Sequence, residues 1–298
     1  MRTVVEAESL TKRFGGVSAV TDLSFALEAG TITGFLGPNG AGKTTTLRMI
    51  LGLASPTSGR ALVFDHPYAQ LARPALHVGA VLEATDFHPG RSGRDHLRML
   101  GQAVDVPDSR ADEVLRLVEL DGAARRRVKG YSLGMRQRLG LAVALLGDPE
   151  LLILDEPANG LDPEGVRWLR DFLRSLASEG RTVLISSHVL AEVAQTVDQV
   201  LIISRGRLVI ESPLTELTAR AGGAVRVRSG DPQRLTVALH SNDLQVTTGG
   251  DHALLVNGAS SERVGEIAFA ARVPVHELVN DRGALEDIFL ELTSEAPA

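Results

Sequence analysis

The chain has 298 residues, 44% of them hydrophobic, which suits a globular protein with one large domain and one small one. Its formal net charge is −6, and this acidic balance argues against nucleic acid as the main partner. It contains no cysteine, so disulfides, thiolate catalysis and cysteine metal sites are excluded.

The N-terminal elements predict an antiparallel flap followed by a strand and a helix. Apolar residues alternate with polar ones over residues 5–10 and 20–27, with a turn at Gly15-Gly16 between the two runs. Alternation with a period of two predicts paired strands. Ile32–Leu36 is an apolar run that predicts a buried strand, and residues 43–53 have helical spacing.

The segment between that strand and that helix reads Gly-Pro-Asn-Gly-Ala-Gly-Lys-Thr-Thr. This is a Gly-x-x-x-x-Gly-Lys-Thr phosphate-binding loop in the strand–loop–helix setting that the motif requires, which disfavours a simple turn that only starts a helix. Lys43 would reach the β- and γ-phosphates, and Thr44 would ligate Mg²⁺. The predicted nucleotide-binding residues of this loop are Gly37, Pro38, Asn39, Gly40, Ala41, Gly42, Lys43, Thr44 and Thr45.

The middle of the chain predicts a helical insert. Strands are predicted over residues 60–64 and 78–82, and helices then follow with apolar residues at helical spacing. These helices cover residues 95–102, 109–120 and 133–146, and they place a helical subdomain at about residues 85–147.

Strands and helices alternate again after the insert. Strands are predicted over residues 151–154, 182–186 and 200–203, with helices over 163–177 and 189–197. Near-continuous apolar strands separated by helices predict a mostly parallel sheet covered on both faces, so the fold class is α/β.

Two adjacent acids follow the first of these strands. Leu151–Leu154 ends directly at Asp155 and Glu156, which places both at the carboxyl edge of the sheet, where open α/β sheets bind ligands. Asp155 suits Mg²⁺ coordination through water, and Glu156 suits polarisation of an attacking water. The phosphate loop upstream disfavours the alternative of idle solvated acids.

The C-terminal part predicts a small α+β domain. A bridging helix over residues 213–220 and a hinge at residues 221–223 separate a domain of residues 1–220 from one of residues 221–298. The order beyond the hinge is β-α-β-β-α-β, the ferredoxin-like arrangement. The strands cover residues 225–228, 244–248, 253–256 and 273–278, the helices 232–239 and 261–271, with a turn at 249–251 and a last helix at 284–292.

Over roughly residues 3–211 these motifs resemble, in content and order, the ATP-binding subunits of ABC transporters. The resemblance implies a P-loop NTPase domain of the ABC ATPase type, which binds ATP and Mg²⁺ and hydrolyses ATP. It implies that Lys43, Glu156 and His188 are catalytic, with His188 sensing the γ-phosphate. A purely structural His188 is the alternative, which the preceding strand and the order of motifs disfavour.

The same resemblance assigns residues outside the phosphate loop. Phe14 would stack on adenine, with burial in the core as its alternative. Ser132 and Gly134 lie where the family has its signature loop, and Asp162 lies in the loop after the two acids. Glu83 stands in place of the usual glutamine and would ligate Mg²⁺ together with Thr44 and Asp155.

Two departures from the family pattern point to one branch. Tyr131, Leu133 and Met135 replace the first, third and fifth residues of the common Leu-Ser-Gly-Gly-Gln signature, and Glu83 is the second departure. Both departures resemble the sequence found in exporter ATPases for bacitracin- and lantibiotic-type peptides. Residues 285–292 also look like the ending of daunorubicin-type resistance ATPases, although an ordinary amphipathic helix has the same spacing.

One phosphate loop and one signature loop per chain imply a dimer. In the family the two come from opposite subunits, so two chains would enclose two ATP molecules. Residues 86–89 resemble the surface that receives a helix of separate transmembrane permease subunits, although Phe87 could equally be core. Because no apolar run reaches the ~20 residues of a spanning helix, we expect a cytoplasmic chain held on the membrane by its permease.

Two other functions remain open on sequence grounds. One is a soluble mechanical ATPase acting on ribosomes or DNA, which usually carries two ATPase units or long coiled-coil arms. The other is a nucleotide-sensing module without useful turnover, a reading that Glu83 and Leu133 keep open and the full set of catalytic residues disfavours.

Overall fold

The structure is a computed structural model that describes residues 2–82, 87–220, 225–248, 253–257, 259–280, 289 and 292–293. Contacts divide the chain into one unit that runs to Glu211 and a second that begins at Ser212. The predicted boundary after residue 220 lies at the far end of the bridging helix, whereas the observed one lies before that helix. Within the described residues, no helix is both long and apolar enough to cross a membrane.

The first unit opens with an antiparallel flap. Strand β1 (Thr3–Phe14) and strand β2 (Val17–Glu28) pair around the Gly15-Gly16 turn, and strand β3 (Ile32–Leu36) and helix α1 (Lys43–Ile50) follow them. Strand β4 (Ser58–Val63) pairs with the other side of β1. The predicted flap is therefore confirmed, as a three-stranded sheet in the order β2-β1-β4.

The helical subdomain follows strand β5 (Val78–Val81). It contains helix α2 (Gly93–Ala103), helix α3 (Asp108–Leu117) and helix α4 (Leu133–Ala144), as the spacing predicts. Leu97, Val114 and Leu139, one from each helix, are fully buried. These helices therefore share one apolar core.

The main sheet is built from the alternating elements. These are strand β6 (Leu151–Leu154), helix α5 (Pro163–Ser178), strand β7 (Thr182–Ser187), helix α6 (Leu190–Val193), strand β8 (Gln199–Ser204) and strand β9 (Arg207–Pro213). The six strands lie in the order β5-β6-β7-β3-β8-β9, and β5 to β8 are parallel in that order. The mostly parallel sheet is confirmed, whereas β9 was not predicted and α6 is shorter than predicted.

Parallel pairing positions the site. Strands β3, β6 and β7 are neighbours in the sheet, so their carboxyl ends lie at the same edge. The chain leaves these ends at Gly37, Asp155 and His188. Three motifs that are far apart in sequence therefore meet at one edge of the sheet.

The second unit begins with helix α7 (Leu214–Arg220) and contains a four-stranded antiparallel sheet. Its elements are strand β10 (Val225–Ser229), helix α8 (Pro232–His240), strand β11 (Gln245–Thr248), strand β12 (Leu254–Asn257), helix α9 (Ser261–Ala270) and strand β13 (Val275–Asn280). The strand order β11-β12-β10-β13 confirms the predicted β-α-β-β-α-β arrangement. The predicted hinge and turn lie outside the described residues, as does most of the last helix, of which Phe289 and Leu292 are described as helical.

Candidate nucleotide-binding site

The phosphate loop has two positions where only glycine fits. Gly37 leaves β3 so close to β8 that a Cβ atom would lie 2.4 Å from the carbonyl oxygen of Ile203. Gly42 has φ +103°, and a Cβ there would lie 2.5 Å from the carbonyl oxygen of Ala19. Glycine accepts a positive φ without steric cost, so the loop stays tight between β2 and β8.

Lys43 is folded back over its own loop. Its side chain is 6% exposed, and Nζ donates to the carbonyl oxygens of Gly37 at 2.6 Å and Pro38 at 3.3 Å. Nζ also lies 3.3 Å from Oε1 of Glu156. The buried ammonium is therefore paired and hydrogen-bonded, and it is held at the mouth of the loop, where a phosphate group would need a cation.

Asp155 links the phosphate loop to the neighbouring strand. Its Oδ2 accepts from Oγ1 of Thr44 at 2.7 Å, and its Oδ1 accepts from Oγ of Ser186 at 2.5 Å. Ser186 in turn accepts from the backbone N–H of Glu156 at 2.9 Å. Sequence reasoning assigned no role to Ser186, and its only signal was its place two residues before His188 at the end of a buried strand.

Glu156 stands in a strained conformation beside His188. Its φ is +48°, in the left-handed region that costs a non-glycine residue about 1–3 kcal/mol. One carboxylate oxygen faces Lys43, and the other lies 2.9 Å from Nδ1 of His188. The His188 side chain is 37% exposed, so its contact with Glu156, and not burial in a core, defines its place.

These groups line one cleft of about 640 Å³. Its walls carry backbone N–H groups, an ammonium, hydroxyls and two carboxylates, which suit a phosphate chain with a cation. The sequence pattern assigned none of Ala19, Val81, Gln137 and Asn159 to the site, although Gln137 ends the signature segment and Asn159 begins the loop after the two acids. The lining residues are Ala19, Asn39, Gly40, Gly42, Lys43, Thr44, Thr45, Val81, Gln137, Asp155, Glu156, Asn159 and His188.

Seven predicted site residues are described but do not line this cleft: three in the phosphate loop (Gly37, Pro38 and Ala41) and four outside it. Phe14 is 55% exposed with Nζ of Lys12 4.9 Å from its ring centroid, so it is not a core residue. Ser132 caps α4 by accepting from the N–H of Met135, and Gly134 lies in the first turn of that helix. Asp162 caps α5.

The region of the predicted permease contact is described from Phe87 onward, whereas Glu83 lies outside the described residues. The Phe87 side chain is half-buried and packs edge-to-face on His96 with the ring centroids 5.0 Å apart. Burial lowers the pKa of His96 below its usual value, and the electrostatic interactions with Arg91 and His88 act in the same direction. Phe87 is thus neither a core residue nor fully exposed.

Comparison with known proteins agrees with this geometry. The ABC transporter family profile matches residues 20–159. An uncharacterised ABC transporter ATP-binding protein of Bacillus subtilis, YhcH, is 38% identical over 99% of this chain and 97% of its own length. The bacitracin transport ATP-binding protein BcrA of Bacillus licheniformis is 36% identical over 98% of both chains. The chain belongs to the ABC transporter ATP-binding proteins. It is therefore an ABC-type ATPase, and its similarity to the bacitracin branch is confirmed.

A solved structure gives the same result for the fold of this ABC ATPase. CbiO1 of Clostridium perfringens, part of the ABC transporter complex CbiONQ, matches with a TM-score of 0.67 and 26% identity over 74% of this chain and 92% of that chain. Residues 223–286 match a domain of unknown function. YhcH and BcrA match along nearly the whole chain, so their similarity extends beyond the ATPase domain.

Proposed function

We propose that this ABC ATPase powers an exporter through separate membrane permease subunits. The observation that carries the proposal is the convergence of Lys43, Thr44, Asp155, Glu156 and His188 on one cleft. A complete set of phosphate-binding and water-activating groups favours turnover over mere nucleotide sensing. The relatedness to BcrA, which is named for bacitracin transport, favours export over a mechanical role on ribosomes or DNA.

Mg²⁺ would be held by Thr44 and Asp155. Their side-chain oxygens lie 2.7 Å apart at the cleft, and such hard oxygen donors suit this cation. Among the residues that the structure describes, no group of three or more acidic, histidine or cysteine side chains is placed to hold a metal. This fits Mg²⁺, which typically takes one or two protein oxygens and completes its shell with water and phosphates. Bound Mg²⁺ would neutralise charge on the phosphates.

Glu156 would act as the general base and His188 as its positioning partner. Hydrogen bonding to His188 fixes one carboxylate oxygen, and the bond from its own N–H to Ser186 fixes the backbone. Lys43 would exchange its carbonyl partners for phosphate oxygens, because an anion is the stronger acceptor for an ammonium. The exposed ring of Phe14 would offer its face to adenine.

Ser132, Gly134 and Asp162 would act on the nucleotide of a second copy. All three lie at the N-terminal ends of α4 and α5, where backbone N–H groups favour an anion, yet none lines the cleft of its own chain. A two-fold dimer would bring these ends to the partner's cleft and would enclose two ATP molecules.

The transported substrate would be an amphipathic drug or a peptide antibiotic, by similarity to BcrA. The chain would work on the cytoplasmic face of the membrane, held there by its permease. Nucleic acid is not among its proposed partners, in keeping with the net charge of −6.

The test is a pull-down of the tagged chain from detergent-solubilised native membranes with ATP and Mg²⁺, read by mass spectrometry. We expect one polytopic membrane protein in stoichiometric amount. Recovery with only ribosomal or DNA-associated proteins would overturn the exporter function, and an absence of phosphate release in a single-turnover assay with the permease present would support a sensing module instead.

A further inference from the structure

Arg138 joins three helices of the first unit. Its guanidinium carbon lies 3.9 Å from the ring centroid of Trp168 on α5. Its Nη1 donates to Oε2 of Glu119 at 2.6 Å and to the carbonyl oxygen of Val118 at 3.3 Å, just beyond the end of α3. The Arg138 side chain is 22% exposed, so these contacts are partly shielded from water.

The two helices that Arg138 and Trp168 connect carry different parts of the machinery. Helix α4 is capped by the signature residue Ser132 and also supplies Gln137 to the cleft of its own chain. Helix α5 is capped by Asp162, which ends the loop that starts at Glu156. Any shift of α4 against α5 therefore changes the distance between the signature end and the loop that carries the general base.

Small residues let the two segments pack closely. A Cβ at Gly160 would lie 2.7 Å from Cδ2 of Leu133, and one at Gly134 would lie 3.7 Å from Cδ2 of Leu161. Leu133 is one of the departures from the family signature, and it fills the space beside Gly160. The signature end and the loop before α5 are thus in direct contact, with the Arg138–Trp168 pair on the same interface.

We infer that Arg138 and Trp168 are positioning residues that couple the two ATP sites of the dimer. The inference rests on the proposed dimer, in which Ser132 serves the partner's nucleotide while Glu156 serves its own. The planar, weakly hydrated guanidinium stacks on an indole face in a way that a lysine ammonium does not. The pair keeps α4 and α5 in a fixed relative position. When Ser132 closes on the nucleotide of the partner, the movement is therefore transmitted to Glu156 at the nucleotide of its own chain.

Trp168 makes this contact directly measurable. It is the only tryptophan of the chain, and it also stacks on Phe172 with the centroids 5.0 Å apart and the planes at 10°. Its emission therefore reports the surroundings of this one contact. If α4 moves against α5 when ATP binds, the emission of Trp168 changes.

The experiment compares Arg138→Met, Arg138→Lys and Trp168→Leu, each in a Glu156→Gln background, with Glu119→Gln as the matched control. The control removes the ion pair of Arg138 but leaves its stacking on Trp168. We expect Arg138→Met and Trp168→Leu to bind ATP as the background does, yet to dimerise roughly tenfold more weakly, the size of a partly shielded cation–π contact. Arg138→Lys should follow Arg138→Met, and the control should follow the background.

The double variant tests whether Arg138 and Trp168 act through their mutual contact. If the pair acts as one unit, Arg138→Met combined with Trp168→Leu is no worse than either change alone. Losses that multiply, or dimerisation that stays at the background level, would overturn the inference. Trp168→Phe keeps an aromatic face and should retain most of the dimerisation, which separates a loss of contact from a failure to fold. If the Glu156→Gln background itself stays monomeric with ATP, the proposed dimer fails and not this contact alone.

Discussion

The two left-handed glycines of the phosphate loop offer a matched pair of substitutions. Gly40 has φ +79° and Gly42 has φ +103°, and an alanine in this conformation costs roughly 1–2 kcal/mol at either position. A Cβ at Gly40 meets no atom within 4 Å, whereas one at Gly42 would lie 2.5 Å from a backbone oxygen. Forced overpacking adds about 1–3 kcal/mol, so Gly42→Ala should destabilise by about 2–5 kcal/mol and Gly40→Ala by about 1–2 kcal/mol.

Urea unfolding followed by Trp168 emission measures this difference. Trp168 lies in the first unit, which also carries the loop, so the signal does not depend on the second unit unfolding in the same transition. The expected order is wild type, then Gly40→Ala, then Gly42→Ala. Equal losses for the two variants, or a Gly42→Ala protein as stable as wild type, would refute the argument that the carbonyl of Ala19 excludes a side chain.

Three further predictions concern single side chains. Ser186→Ala leaves the N–H of Glu156 without its acceptor and Oδ1 of Asp155 without its donor, so kcat should fall about tenfold or more while ATP affinity changes less than about threefold; steady-state kinetics with unchanged kcat would contradict this. Tyr131→Phe removes the hydrogen bond from the phenol to the carbonyl oxygen of Ala123 and should cost about 1 kcal/mol in urea unfolding, and a stabilised variant would count against it. Burial holds the pKa of His96 in the folded chain below the value of about 6.5 that it has in the unfolded chain. Below that pH the unfolded chain binds more protons at this residue than the folded chain does, so the free energy of unfolding decreases as the pH falls. His96→Phe should flatten that part of the pH dependence, and an equally steep loss would refute it.

The elements with a strong local signal could be predicted from the sequence. Ile32–Leu36 and Leu151–Leu154 have the predicted bounds because fully buried strands are continuous apolar runs. Arg207–Pro213 was missed because this edge strand mixes charged and apolar residues without a clear period, and four of its seven residues are only half-buried. Its partner β8 fixes it in place, which a local pattern does not show.

The residues of the candidate site could likewise be predicted only where they belong to a local sequence motif. Lys43, Thr44, Asp155, Glu156 and His188 belong to motifs, and the structure brings all five to one cleft. Ser186 has no motif of its own, and Gln137 ends the signature segment without a predicted role, so the part of each in the site depends on which strand or helix faces the cleft. The contact of Arg138 with Trp168 likewise joins residues about 30 positions apart on two helices whose relative placement the spacing of apolar residues does not define.

The most direct test of the central claim is the mass of the Glu156→Gln protein in solution with ATP and Mg²⁺, measured by analytical ultracentrifugation. This variant keeps Lys43 and the loop but lacks the proposed base, so the bound nucleotide should not be consumed. We expect a dimer with two ATP molecules that reverts to monomers when ATP is replaced by ADP. A monomer at saturating ATP, or a dimer that forms equally well without nucleotide, would contradict it.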